Sequence, residues 1–374
     1  MEENTVNELV RKHEVYKLSG INLIASENWI AESARWALSS DLAGRYDGEW
    51  YGGDRYAAEV CAAVEALARE VFSARYAFVT PVSGNMCDLA AIFAFTKAGD
   101  DIAGVPPEHG GYPFGYGKFQ RGFRPLPMKD YCVDEKRLGE VEREVPLVLL
   151  ASSVILFPHP VEKMAGHFSG TLAYDASHVL GLIAGGEFQQ PLKEGSDILM
   201  GSTHKSFPGP QGGIVMTNNR DVADALARYL RFDLEEGIGL VDNPHVHRIA
   251  CLGMVLEEMR EHGARYARQI IKNARTLAEA MHELHVPVMF SERGFTGSHQ
   301  VMLALSDKEA VALQKRLESH HIFIDRMGRL GVAEVTNLGM GEKEMHHIAH
   351  MIADVYHGRE IGDAATKLAM KFYL

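Results

Sequence analysis

Cysteine is scarce in this chain. The four at positions 61, 87, 132 and 251 show no CxxC spacing, which argues against a disulfide framework and suits a reducing compartment. An excess of positive charge is also missing: 38 Lys and Arg face 50 Asp and Glu, for a net charge of −12. Phosphate backbones and anionic membrane surfaces are repelled on average, so neither is an expected partner. The longest uncharged apolar run, Val145 to Phe157, is interrupted by Pro146 and is far shorter than the roughly 20 residues that cross a bilayer. The N-terminus, Met1 to Asn7, is acidic and polar rather than basic then apolar; it does not read as a secretory signal, and the cytoplasm is the expected location. Internal repeats, low-complexity tracts and an obvious linker are lacking. There is no GxxxxGK[ST], and Gly237-Ile-Gly239 does not follow a strand in a βαβ unit, so nucleotide phosphate loops are unsupported.

What is present is an ordinary globular composition, 46% hydrophobic and 24% charged. A chain of 374 residues exceeds the roughly 250–300 that one core serves, so a large and a smaller domain are expected. From Asp54 an apolar face at Val60, Cys61, Val64, Leu67, Ala68, Val71 and Phe72 predicts a helix that Asp54 can cap. Short β-rich runs recur at Tyr76–Thr80, Leu147–Ser152, Thr171–Tyr174, Asp197–Thr203 and Gly213–Thr217. Helix-length or Gly/Pro-rich stretches separate them, which predicts an α/β fold with a mainly parallel sheet flanked by helices. After about residue 245 the pattern turns helical, from Ile249 through Leu284 and again from Asp307 to near His320. A smaller α+β domain over 246–374 is expected to follow a large domain over 46–245.

Three stretches carry chemistry. In Asp197-Ile-Leu-Met-Gly-Ser-Thr-His-Lys205-Ser-Phe-Pro-Gly-Pro-Gln-Gly-Gly213 a strand ends in hydroxyl residues, then a lysine, then a glycine-rich turn. A partly desolvated lysine there has a lowered pKa and an amine free for Schiff-base chemistry. In Thr171-Leu-Ala-Tyr-Asp175-Ala-Ser-His178 an acid ends an apolar strand, where a carboxylate needs a cationic partner. A protonated pyridine nitrogen is one; an ordinary ion-paired or capping Asp is the alternative. Thr80-Pro-Val-Ser83-Gly84-Asn85-Met86 is a strand followed by a small-residue turn that opens a helix, and such a helix start can hold a phosphate. A phosphate cup, a pyridinium acid and a lysine in this order point to pyridoxal 5'-phosphate on an aspartate-aminotransferase-type fold. Eighteen histidines invite a metal reading, and His346, His347 and His350 share a predicted helix. His245 with His247, and His282 with His285, lack an accompanying carboxylate or cysteine cluster. No metal is assigned.

Over nearly its whole length the sequence resembles serine hydroxymethyltransferase. The matching motifs are Leu23-Ile-Ala-Ser26-Glu27-Asn28, Trp50-Tyr51-Gly52-Gly53, Ser83-Gly84, His109-Gly110-Gly111, Asp175-Ala-Ser-His178 and Thr203-His204-Lys205 with the Gly-Pro-Gln-Gly-Gly that follows. The resemblance implies a fold-type-I pyridoxal-phosphate enzyme with a seven-stranded-type sheet. It also implies a homodimer with active sites at the interface, against which residues 1–45 pack. Lys205 would carry the cofactor, Asp175 would bond its ring nitrogen, and Ser83, Gly84 and Asn85 would cup its phosphate. His178, Ser153, Ser202 and His204 are further implied contacts, and Tyr112 falls where the family has a ring-stacking histidine. Arg329 resembles the arginine that grips the substrate carboxylate, with Ser26, Tyr46 and Tyr51 completing that pocket. Lys205, Ser26, Tyr51 and Glu49 are the implied catalytic set.

The departures from the family pattern have consequences of their own. Between Tyr46 and Trp50-Tyr51 the chain is several residues shorter, and Glu49 is the candidate for the family's proton-handling glutamate. Pro107 and Pro113 flank the His-Gly-Gly where leucines usually meet folate, and the long loop before the substrate arginine is missing from Phe323 to Arg329. Gln211 replaces an arginine, and the glycine-rich interface loop is absent around Gly239 to Asn243. The expected reaction is therefore Cα–Cβ cleavage or formation on a β-hydroxy-α-amino acid with weak or no folate dependence. A true hydroxymethyltransferase using a pterin carrier, an amino-acid racemase or aminotransferase, and a non-catalytic relative are the alternatives.

Overall fold

The strand-forming runs assemble into one seven-stranded sheet in a computed structural model that describes residues 5–48, 51–233, 235 and 237–373. Its strands are β1 (Tyr76–Phe78), β2 (Asp101–Gly104), β3 (Gly122–Pro125), β4 (Leu147–Ala151), β5 (Thr171–Asp175), β6 (Ile198–Ser202) and β7 (Gly213–Thr217). They lie in the order β1-β7-β6-β5-β4-β2-β3. Four of the six pairings are parallel, and the two antiparallel ones both involve β7. The ten residues from Thr203 to Gly212 turn β7 straight back along β6, whereas parallel neighbours need a long crossover. Strands β4, β6 and β7 are buried at every residue, as expected of a sheet covered on both faces.

Helix α1 (Arg55–Val71) begins at Asp54 as its spacing predicts, although the Asp54 side chain makes no capping hydrogen bond. Only Ala57, Val64 and Ala68 of this helix are buried. Val60 and Leu67 instead line an apolar groove of about 470 Å³ with Trp36, Gly253 and Met254. Helix α2 (Gly84–Phe95) crosses β4 to β7, and α3 (Arg220–Leu230) packs beside it. Alternate strand residues, among them Leu147 and Leu149, Ile198 and Met200, meet Ala90, Ile92 and Leu226 of these helices in one core.

Two compact units form, residues 30–267 and residues 1–29 with 268–374. The boundary expected near 245 marks the start of α4 (Val246–Glu283); the division falls inside this continuous helix, after Ala267. Within the second unit Ile21–Asn22 pairs in parallel with Ile322–Phe323, and Gln300–Met302 pairs antiparallel with Arg329–Gly331. Helices Val6–Leu18, Asp307–Ser319, Glu342–Tyr356 and Ala364–Tyr373 complete it. Among the described residues, no helix is long and apolar enough to cross a membrane.

Candidate functional site

The ends of β1, β5 and β6 lie on one edge of the sheet, where ligands of such folds bind. Asp175, the last residue of β5, is 6% exposed. Its Oδ1 accepts from the Ser177 amide at 2.8 Å and from the Ser177 hydroxyl. That hydroxyl oxygen in turn accepts from the Ser202 amide at 2.8 Å, which ties the end of β5 to the end of β6. Burial raises the Asp175 pKa, opposed by the charge of Lys205 and the bonds from Ser177. Lys205 Nζ lies 3.4 Å from His178 Nε2. The Lys205 loop is closed at its base by Thr203, whose amide donates to Gly212 O at 3.1 Å and whose hydroxyl donates to Pro210 O at 2.6 Å.

Ser83 is the N-cap of α2 and accepts from the Met86 amide. Gly84 follows because the backbone comes close: a Cβ at this position would stand 2.3 Å from Ser202 Oγ and 3.1 Å from Ser177 Oγ. The structure thus gathers Ser83, Gly84, Asp175, Ser202 and Lys205, whereas Asn85 is exposed at the helix start. Tyr112 is held against the end of β4, its amide donating to Ala151 O at 3.0 Å, while the Ser153 amide donates to Gly110 O at 2.7 Å. Burial and the charges of Asp88 and Asp175 raise the Tyr112 pKa. His204 is half-buried beside Lys205 in the chain. Asp88 and Ser177 escaped the sequence reading. A lone carboxylate in the apolar run Met86-Cys87-Asp88-Leu89-Ala90-Ala91-Ile92 is the signal that marks Asp88.

The remaining candidates lie on other segments of the chain. Tyr46 and Tyr51 stack at 4.8 Å and are 51% and 44% exposed. They line a cavity of about 360 Å³ with Asp41, Arg45 and Asp54, and that lining does not include Lys205 or Asp175. Glu49 and Trp50 lie outside the described residues. In the other unit, the half-buried Ser26 follows Leu23-Ile24-Ala25, which runs against the Arg329–Gly331 strand. The Gly331 amide donates to Leu23 O at 2.8 Å, and a Cβ on Gly331 would come within 2.4 Å of Ala25 Cα. Arg329 is 5% exposed and ion-paired with Asp325. His346, His347 and His350 are exposed on their helix.

A buried acid and an amine at neighbouring strand ends, with a capped helix start whose second residue leaves room for nothing larger than glycine, fit a phosphorylated pyridine aldehyde. A profile of the family described as serine hydroxymethyltransferase matches residues 1–121 and 153–352. The serine hydroxymethyltransferase of Methanopyrus kandleri is 40% identical, over 95% of this chain and 89% of that protein. That of Pyrococcus furiosus is 36% identical, over 94% and 90%. Among solved structures, the L-threonine transaldolase of Pseudomonas fluorescens, in its internal aldimine state, superposes with a TM-score of 0.89 at 28% identity, covering 98% of this chain and 90% of that one. The chain belongs to the serine hydroxymethyltransferase family and is a pyridoxal-phosphate-dependent enzyme.

Proposed function

We propose that this enzyme makes or breaks the Cα–Cβ bond of a β-hydroxy-α-amino acid with little or no need for a folate carrier. The observation that carries this reading is the short turn from Asp325 to Arg329, closed by Asp325 itself, where the family has a long loop. Pro107 and Pro113 beside the His-Gly-Gly support it, as does the likeness to a threonine transaldolase. Pyridoxal phosphate, when bound, supplies an electrophilic carbon for an amine and a ring that takes up the electron pair released at Cα.

The chain's own residues do the rest. Lys205 holds the cofactor, Asp175 faces its ring nitrogen, Ser83, Gly84 and Asn85 receive its phosphate, and Tyr112 covers one face. Ser153, His178, Ser202 and His204 complete its surroundings. Arg329 would anchor the substrate carboxylate with its guanidinium fork and so orient the bonds at Cα. Ser26, Tyr51 or Glu49 handles the hydroxyl proton, and Tyr46, stacked on Tyr51, contacts the substrate. The enzyme acts in the cytoplasm as a homodimer, residues 1–45 packing on the second copy. Helix Val6–Leu18 supports this: it has no buried residue and exposes Val6, Leu9, Val10 and Val15.

An amino-acid panel scored for aldehyde, inverted enantiomer and keto acid, with and without tetrahydrofolate, tests the reading. Folate-free aldehyde release from a β-hydroxy amino acid is expected. Tight folate binding with folate-dependent serine turnover restores the hydroxymethyltransferase, and keto acid alone makes the chain an aminotransferase. Lys205→Ala is expected to remove the yellow, borohydride-reducible adduct.

A further inference from the structure

Asp88 lies on α2 one turn beyond Gly84, and residues four apart share a helix face. Gly84 rests on the hydroxyls of Ser202 and Ser177, so Asp88 lies along the face that α2 turns toward the ends of β5 and β6. It is 2% exposed, and its Oδ1 has no hydrogen-bond partner among the described residues. An ionised carboxylate in that state is costly. Asp175 is better served, with two hydrogen bonds from Ser177 and the charge of Lys205.

The groups that face Asp88 come from several elements. Asp175 ends β5 and Lys205 follows β6; Asp175 repels a charge on Asp88 and Lys205 favours it. His178 stands beside Lys205. From the segment after β2, the Tyr112 and Tyr116 phenols are both pushed up, by burial first and then by an Asp88 charge. Cys87, on the same helix, is pushed up likewise. Burial and Asp175 together outweigh the one cation and hold the Asp88 carboxyl well above its ordinary range. Two carboxyl groups in one desolvated site do not both ionise.

We propose that Asp88 is held as a neutral carboxylic acid, so that it and Asp175 together carry one proton and one negative charge. Asp175 is then the single anion at the strand ends. The role rests on the assignment of Asp175 and Lys205 to the cofactor made above.

The experiment compares cofactor-free and cofactor-loaded wild type with the isosteric Asp88→Asn. The infrared difference spectrum of the two cofactor-free proteins at pH 7.5 is expected to contain the C=O stretch of a protonated carboxyl. A carboxyl that stays protonated only in the folded state weakens folding as pH rises above about 3.8, the unfolded value. Asp88→Asn is therefore expected to raise the melting temperature at pH 8 and to lose that gain near pH 4. Cofactor affinity at pH 7.5 is expected to stay within about twofold, less than 0.5 kcal/mol. A spectrum with carboxylate bands alone, a variant less stable than wild type at pH 8, or cofactor affinity reduced tenfold overturns the proposal, since each marks an ionised Asp88 paired with Lys205. Wild type that binds no cofactor overturns the cofactor assignment instead, because the proton count is read on the cofactor-free protein.

Discussion

Asp325 holds Arg329 through Nε at 2.7 Å, with the two side chains 16% and 7% exposed. Its other oxygen accepts from the Met327 and Arg329 amides, at 2.9 and 3.3 Å. One carboxylate thus both closes the turn and sets the direction of the guanidinium. On the proposed role of Arg329, Asp325→Ala is expected to raise the KM for the amino acid about tenfold, the equivalent of 1.4 kcal/mol. Cofactor affinity, read from the absorbance of the bound cofactor, is expected to stay unchanged. An unchanged KM counts against Arg329 as the anchor.

Gly84→Ala places a methyl group against Ser202 Oγ and Ser177 Oγ. Relief requires α2 to lift from the ends of β5 and β6, at about 1–3 kcal/mol for overpacking of this kind. Cofactor affinity is expected to fall more than tenfold while far-ultraviolet circular dichroism shows a folded protein. Normal affinity in this variant argues against a phosphate at the helix start.

His159 gives the protein an acid limit. Its ring is buried, Nδ1 accepts from the Val133 amide at 3.3 Å, and burial lowers its pKa to about 4. The unfolded chain takes up a proton below about 6.5, which the native state refuses until pH 4. Stability from this group is complete above 6.5 and is lost as pH falls through that window, by about 3 kcal/mol at pH 4. His159→Asn, which keeps an acceptor for Val133, is expected to flatten the fall in melting temperature between pH 7 and pH 5. An identical fall in both proteins excludes His159 as its source.

Tyr373 donates to Glu334 Oε1 at 2.6 Å, and Asn22 donates to Oε2 at 2.8 Å. Glu334 is 6% exposed, so Tyr373→Phe leaves a buried carboxyl oxygen short of a donor. A loss of about 1–3 kcal/mol is expected by urea unfolding. A loss within 0.5 kcal/mol, roughly the spread of neutral surface changes, shows that water replaces the phenol.

The sheet was legible where burial and strand propensity agree. Leu147–Ser152, Thr171–Tyr174 and Gly213–Thr217 each read as strands because both faces are covered and their central residues are apolar. Asp101–Gly104 and Gly122–Pro125 did not, since a bounding acid, glycines, an arginine and a proline dilute the pattern; β3 sits at the edge, where such residues are tolerated. Asp175 stood out because it ends an apolar strand, Lys205 because it stands between a strand end and a glycine-rich turn, and Ser83 because it opens a helix after a strand. Ser177 and Asp325 act through short-range hydrogen bonds fixed by turn geometry, which spacing in the sequence does not report. The half-covered face of α1 also looked like a full core stripe, because periodicity shows which side is apolar and not what covers it.

The antiparallel return of β7 has a consequence for how the protein opens. The Gly213 amide donates to Pro81 O at 2.8 Å, and β7 pairs with β6 on one side and β1 on the other. Prising β7 out would therefore release the lysine loop and the segment leading to Ser83 in one event. Such cooperative units exchange their amide hydrogens together. On the proposed placement of the cofactor across both segments, loading it is expected to slow hydrogen exchange along β6, β7 and β1 as a single block, including amides far down the strands that no ligand atom reaches.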